Sequence, residues 1–144
     1  MPTDTERWSE ILEIEAFIAS CRIDGPSGAL WRRVPAGSES SHTLYHGSAG
    51  VALFYLELHR ATGTGRFLDE AVSAADELLA YLDAHRTITV GIYSGLPGYV
   101  FVLTEVAKAS GAERFRRGAS AAVEAMADQA QPLGAGIGWI EPMP

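Results

Sequence analysis

An internal repeat dictates how this chain can fold, because segment 44–79 matches segment 92–127 without a gap. The offset is 48 residues, as from Tyr45 to Tyr93. The identical positions are Tyr45/Tyr93, Gly47/Gly95, Gly50/Gly98, Glu57/Glu105, Ala61/Ala109, Gly63/Gly111, Arg66/Arg114, Phe67/Phe115, Ala71/Ala119 and Ala74/Ala122. A repeat of roughly 20–50 residues is typical of stacked units, none of which buries its apolar face alone.

Each copy predicts two helices of different character. The first, over 51–61, is apolar nearly all round, which is the pattern of a helix buried in an inner layer. The second, over 66–82, has an apolar stripe and one polar side, as expected of an outer helix. That polar side consists of Asp69, Glu70, Ser73, Asp76 and Glu77. The second copy repeats the layout, with an inner helix over 99–109 and an outer helix whose inward-facing residues are expected to be Phe115, Ala119, Ala122, Val123 and Met126.

Glycines and flanking segments complete the organisation. Gly63, Gly65 and Gly111 fall between the helices of a pair, where a left-handed glycine ends the first helix. A leading amphipathic helix is expected to pad repeat one through Trp8, Ile11, Leu12, Ile14, Phe17 and Ile18. Residues 25–28 and 36–43 are expected to form loops, since glycine, proline and polar residues exclude regular structure there. The predicted organisation is a leading helix over 5–22, repeat one over 44–82, repeat two over 92–128 and a loop tail over 131–144.

Because the chain stops within this loop after two hairpins, we expect residues 1–144 to be an N-terminal fragment. One lateral face of repeat two would then lack a neighbour and favour self-association. The side chains expected on that face are Val100, Val102, Leu103 and Val106.

Composition excludes several classes of protein. The net charge is −7 and no Lys/Arg cluster is longer than a pair, so a nucleic-acid surface is not expected. The N-terminus lacks a secretory signal, and the longest fully apolar run, 51–56, is too short for a membrane span. These features predict a cytoplasmic protein. Cys21 is the only cysteine, so an internal disulfide is impossible.

A glycine motif precedes each inner helix. The motif reads Leu44-Tyr45-His46-Gly47-Ser48-Ala49-Gly50 in repeat one and Ile92-Tyr93-Ser94-Gly95-Leu96-Pro97-Gly98 in repeat two. Glycine at both positions permits positive φ in the turn and close approach of the next backbone, and the helix start directs free N–H groups toward the mouth of a ring. Two such motifs in register resemble those of the lanthionine synthetase C-like family, and Trp31 and segment 138–142 also resemble its loops. The resemblance implies an all-α fold, a fragment of a double-layered α/α toroid with two inner/outer hairpins.

The resemblance also implies an activity for the full-length family. That activity is addition of a peptide cysteine thiol to dehydroalanine or dehydrobutyrine, which closes a thioether ring in a precursor peptide. Zinc, held by two cysteines and a histidine of later repeats, activates the thiol. No position here matches those ligands or the catalytic aspartate and histidine, so we expect no zinc, no other cofactor and no activity in this chain alone. The alternatives are a non-catalytic peptide-binding α-toroid or solenoid and a carbohydrate-active α/α toroid.

Individual residues carry further expectations. Tyr45, His46, Tyr93 and Ser94 are candidates for the rim of a cavity, although a turn role for the histidine and packing roles for the tyrosines are favoured. Each of the repeated carboxylates, Glu57 and Glu105, is expected to pair with an arginine, such as Arg66 or Arg114 of its own repeat, rather than to act in catalysis. Cys21 is expected to be a small buried side chain. His42, His59 and His85 are expected to be solvated.

Overall fold

The computed structural model describes residues 1, 3–85 and 88–138. Their fold is all-α apart from two short hairpins, as the resemblance predicted. In chain order the elements are α1 (Asp4–Ser20), β1 (Arg22–Asp24), β2 (Ala29–Trp31), α2 (Ser48–Thr62), α3 (Gly65–Ala84), α4 (Leu96–Ser110), α5 (Glu113–Asp128), β3 (Gln131–Leu133) and β4 (Gly136–Gly138). Among the described residues, no helix is both long and apolar enough to cross a membrane.

The helices pack in two layers. Helix α2 packs against α3, and α4 packs in the same way against α5, so each repeat is a helical hairpin. The two hairpins meet through α2 and α4 on one side and through α3 and α5 on the other. Side chains that are almost fully buried fill the space between the layers: Tyr55, Leu56, Leu78, Tyr99, Val102, Leu103, Val106 and Phe115. Burial of such side chains is the main stabilising contribution, at about 1.5–3 kcal/mol for a large apolar group.

Glycines end both inner helices, as the sequence predicted. Gly63 follows α2 with a φ of 67°, and Gly111 follows α4 with a φ of 70°. In this left-handed conformation the N–H of each glycine donates to the carbonyl of the residue four positions earlier. Gly65 has a different role, because it begins α3 rather than ending α2.

Two short antiparallel strand pairs were not predicted, one around Trp31 and one in the tail. Residues 25–28 form the predicted loop and connect β1 to β2, which pair from Arg22 with Trp31 to Asp24 with Ala29. Trp31 is therefore a strand residue and not part of a loop. Strands β3 and β4 pair within the predicted loop tail, whereas residues 139–144 of that tail lie outside the described residues. Strands of three residues leave too short an alternation of apolar and polar side chains for sequence analysis to detect.

The leading helix docks differently from the prediction. Thr3 and Glu6 form a capping box at its start. Only Ile11 and Ile18 of its apolar residues pack against the core. The other four remain substantially exposed: Trp8, Leu12, Ile14 and Phe17. The buried residue of this helix is instead a carboxylate, Glu15, and the expectation that all six apolar side chains pad repeat one is wrong for the four exposed ones.

The lateral face expected on repeat two also differs. Val102, Leu103 and Val106 are fully buried, because α4 is covered by α5 and by repeat one. The exposed apolar side chains of this hairpin are Phe101, which is 49% exposed, and Val123, which is 50% exposed. Val123 was expected to face inward.

Candidate functional site

The entrances to α2 and α4 have the same local structure. The N–H of Ser48 donates to the carbonyl of Ser41 at 2.9 Å, and the N–H of Leu96 donates to the carbonyl of Thr89 at 2.9 Å. Each hydrogen bond holds the carbonyl group of the preceding loop directly against the first glycine of the motif. A Cβ on Gly47 would lie 2.2 Å from the Ser41 oxygen, which leaves no space for any other residue.

The other motif glycines are constrained in the same way. A Cβ on Gly95 would lie 1.9 Å from the Thr89 oxygen. A Cβ on Gly50 would lie 2.4 Å from the Leu44 oxygen, and a Cβ on Gly98 would lie 2.2 Å from the Ile92 oxygen. None of these four glycines has a positive φ, so the expected positive φ is wrong, whereas the expected close approach explains why glycine is required.

The two entrances lie side by side. The N–H of Tyr45 donates to the carbonyl of Tyr93 at 3.1 Å, and the two rings meet edge to face with centroids 6.1 Å apart. Both side chains are mostly exposed, at 71% and 65%, so the favoured packing role is wrong. His46 and Ser94 are exposed next to them. These four residues form one surface, which we call the rim.

Polar contacts in the rim are local. The backbone N–H of His46 donates to the hydroxyl of Thr43 at 3.2 Å, which is a turn contact. Its imidazole ring lies against the edge of the Tyr45 ring, with centroids 4.3 Å apart. The hydroxyl of Ser94 lies 3.4 Å from that of Thr89. The rim therefore presents aromatic surface, hydroxyl groups and an imidazole, and these four residues include no pair of charged catalytic groups.

An open cleft of about 400 Å³ adjoins the rim between α1, β2 and the start of α2. Its walls are apolar and its edge is basic. The apolar walls come from Phe17, Ile18, Trp31, Leu44, Val51 and Phe54. The basic edge comes from Arg32 and Arg33, with Tyr45 and His46 of the rim beside them. Cys21 also lines the cleft and is 3% exposed, which confirms the expectation of a small buried side chain.

The repeated arginines connect one unit to the element before it. Both oxygens of Glu15 accept from Arg66, at 3.0 and 3.3 Å, and one also accepts from the hydroxyl of Tyr55. Burial raises the pKa of this tyrosine, and the nearby carboxylate raises it further. The guanidinium of Arg66 lies 4.1 Å from the centroid of the Phe67 ring.

Repeat two has the equivalent joint. Arg114 donates to both oxygens of Asp76 in the preceding outer helix, at 2.6 and 3.0 Å, and lies 4.3 Å from the centroid of the Phe115 ring. We call each such arrangement, an arginine on its own phenylalanine and on an earlier carboxylate, an arginine joint.

The repeated carboxylates of the inner helices have other partners than expected. Glu57 pairs with Arg60 of its own helix, and Glu105 accepts from the same Arg60 at 2.6 Å and from Lys108 at 2.7 Å. The hydrogen bond from Lys108 has the largest effect in lowering the pKa of Glu105, and the hydrogen bond from Arg60 lowers it further. The prediction of an ionic role was correct in kind, but Arg66 and Arg114 were the wrong partners.

A buried carboxylate in α3 was missed entirely. Glu77, expected on the wet face, is buried because the turn between β1 and β2 covers it, and it accepts from the N–H of Ser27 at 2.9 Å. Its other oxygen lies 4.0 Å from Nε2 of His42, which is half-buried and stacked on Tyr81. The expectation that His42 is solvated is wrong. The only sequence signal was a departure from the repeat, since Ala125 occupies the equivalent position.

The remaining two histidines lie at helix ends. Nδ1 of His59 contacts the carbonyl of Thr64 at 3.1 Å, and Nδ1 of His85 contacts that of Tyr81 at 2.7 Å. His85 is exposed, as expected, and His59 is partly buried.

The described residues do not fit the zinc site that the resemblance implies. Among residues 1, 3–85 and 88–138, no three His, Cys, Asp or Glu side chains lie together as metal ligands. Cys21 is the single thiol, whereas the family's set needs two cysteines and a histidine.

Comparison with known proteins agrees with the repeat and its glycine motifs. The family model described as lanthionine synthetase C-like protein matches residues 38–130. This range includes both rim entrances and all four helices of the two hairpins. Searches of curated proteins and of solved structures found no match. Since the family model covers well over half of the 144 residues, this chain belongs to the lanthionine synthetase C-like family.

Proposed function

We propose that this chain forms the N-terminal part of a double-layered α/α toroid and that its rim contacts a peptide substrate. The family's chemistry would be addition of a peptide cysteine thiol to dehydroalanine or dehydrobutyrine. In this proposal the zinc and the catalytic residues come from elsewhere, and residues 1–144 supply scaffold and part of the cavity rim. We retain the cytoplasm as the proposed compartment.

The observation that carries the proposal is the pairing of the two helix entrances. The hydrogen bond between Tyr45 and Tyr93 fixes two glycine-constrained entrances next to each other. Exposed aromatic rings with polar tips are suited to peptide contact, because they offer large apolar area and hydroxyl groups at low entropic cost. The rim has no paired carboxylates, which a carbohydrate-active toroid would place at such ends.

Binding and ring closure are tested with one peptide. A fluorescein-labelled peptide that contains a dehydroalanine and a cysteine is titrated with the chain, and anisotropy reports binding. Ring closure leaves the mass unchanged, so free thiol is counted by alkylation and mass spectrometry. We expect saturable binding with the thiol fully alkylated, because the described residues do not fit the zinc set.

Rim variants provide the specificity of the test. Tyr45→Ala and His46→Ala should each weaken binding about threefold to tenfold, in the range of one lost contact of about 1 kcal/mol. Trp8→Ala is the matched control, because Trp8 is an exposed aromatic residue outside the rim and the cleft. Equal effects of all three variants, or rapid ring closure by the purified chain, would contradict the proposal.

A further inference from the structure

The cleft beside the rim differs in charge from the rest of the molecule. The chain carries a net charge of −7, yet the described residues that line the cleft include Arg32, Arg33 and His46 and no carboxylate. Arg33 has an exposed partner, Glu39, at 3.3 Å. A local basic edge on an acidic protein attracts a negatively charged ligand and disfavours a positive one.

The walls of the same cleft are suited to an apolar side chain. Phe17 is 52% exposed although it is a large aromatic residue, and it faces the cleft together with Phe54 and Val51. A volume of about 400 Å³ lies within the range of ligand pockets, roughly 300–1,000 Å³. Trp31, only 3% exposed, also lines the cleft, and its indole N–H has no hydrogen-bond partner among the described residues. An apolar wall beside a basic edge favours an amphipathic anionic ligand.

We propose that this cleft binds a short acidic peptide segment in which an apolar side chain lies next to a carboxylate. The apolar side chain packs against Phe17 and Phe54, and the carboxylate pairs with Arg32. Because the cleft shares Tyr45 and His46 with the rim, the segment belongs to the same peptide chain that the rim contacts. This inference rests on the proposed function and adds a substrate class to it, since it selects peptides by charge.

Three peptides of equal length test the charge requirement by anisotropy. The first contains leucine flanked by aspartate and glutamate, the second replaces these acids with asparagine and glutamine, and the third keeps the acids and replaces leucine with serine. We expect the first to bind at least tenfold more tightly than either of the others, because the second lacks the charge that pairs with Arg32 and the third lacks the apolar side chain that packs against Phe17. Its affinity should fall as salt rises, since the arginine contact is screened.

Variants of the chain locate the site. Arg32→Gln should weaken binding of the acidic peptide about tenfold and flatten its salt dependence, whereas Arg117→Gln, the same change at an exposed arginine of α5 outside the cleft, should leave both unchanged. Phe17→Ser should weaken binding without unfolding the chain, because this side chain is half exposed. Circular dichroism verifies the fold of each variant.

The outcomes separate this inference from the proposed function. Equal binding of the acidic and amide peptides, or equal effects of Arg32→Gln and Arg117→Gln, would overturn the acidic-segment site. If Tyr45→Ala still weakens binding of the dehydroalanine peptide, the rim proposal stands while the cleft proposal falls. If binding follows Arg32 and Phe17 but not the rim variants, the cleft is a peptide site and the rim proposal falls.

Discussion

Repeat one and repeat two share their helices, helix ends and arginine joints, but they are anchored to different kinds of neighbours. Arg66 of repeat one reaches a carboxylate that is almost fully buried, Glu15, whereas Arg114 of repeat two reaches Asp76, which is 30% exposed. Repeat one also carries Glu77 under the β1–β2 turn, and repeat two has an alanine there. The shared glycines and arginine joints therefore mark contacts that both units make, and the unmatched Glu77 marks where the β1–β2 turn docks on repeat one only.

The largest effect is expected at the glycines that both repeats share. Gly95→Ala should reduce the free energy of unfolding by about 3 kcal/mol, because its Cβ would lie 1.9 Å from a carbonyl oxygen that cannot move freely. Gly47→Ala should do the same in repeat one. The control is Gly65→Ala, where nothing lies within 4 Å and stability should rise by about 0.5 kcal/mol. Urea unfolding measures all three, and similar values for them would disprove the close approach.

The arginine joints should separate the two repeats. Arg66→Ala leaves the buried Glu15 without its ionic partner and should cost about 2 kcal/mol, below the 3–5 kcal/mol of a fully buried pair because the arginine is exposed. Arg114→Ala should cost about 0.5–1 kcal/mol, since both partners contact solvent. Arg116→Ala, in an exposed pair within α5, is the control. Equal losses for Arg66 and Arg114 would show that burial does not distinguish the joints.

The contact between His42 and Glu77, which only repeat one has, should make the free energy of unfolding depend on pH. Burial lowers the pKa of His42 below its ordinary value near 6.5; the charge of Glu77 opposes this effect and that of His85 adds to it. The unfolded chain then takes up a proton that the folded chain resists, so stability should fall as pH drops through about 6.5. One proton limits the slope to about 1.4 kcal/mol for each pH unit. Unfolding of His42→Gln should lack this component, whereas exposed His46→Gln should retain it.

The smallest effect concerns the exposed apolar surfaces. Self-association stays a prediction, and its source is now specified as Phe101 and Val123 on repeat two or Leu12 and Ile14 on the leading helix. Light scattering across a concentration series compares Phe101→Ser/Val123→Ser with Leu12→Ser/Ile14→Ser. We expect the repeat-two pair to reduce association more strongly. A monomer at every concentration for the unmodified chain would reject this prediction.

Sequence patterns predicted the helices well because the repeat supplied each pattern twice. The glycine ends at Gly63 and Gly111 and the close approach at the motif glycines follow from residue types that few local structures permit. The apolar periodicity could not predict Glu15 or Glu77, since a carboxylate is assigned to solvent unless its partner is known. Those partners are 51 and 50 residues away along the chain, at Arg66 and Ser27.

The candidate site was predicted only in part. The motif identified all four rim residues, and the structure brings Tyr45 and Tyr93 together, but their roles in binding stay predictions. Apolar residues of a leading helix are ordinarily assigned to the core, so Phe17 gave no indication that it lines a cleft. The net charge of −7 could not predict the basic edge of the cleft, because a charge summed over the whole chain does not say where individual charges lie.

The arginine joint gives the stack of hairpins a polarity. Each donor lies at the start of an outer helix, and each acceptor lies in the second half of an earlier helix, Glu15 in α1 or Asp76 in α3, so both joints run in the same direction along the chain. Glu124 occupies in α5 the place that Asp76 occupies in α3, 48 positions earlier, and it is exposed. A hairpin that presents an arginine followed by phenylalanine would find its acceptor there, whereas an inverted hairpin would not. The arginine and carboxylate of each joint thus hold neighbouring elements together and also fix the direction in which they follow one another.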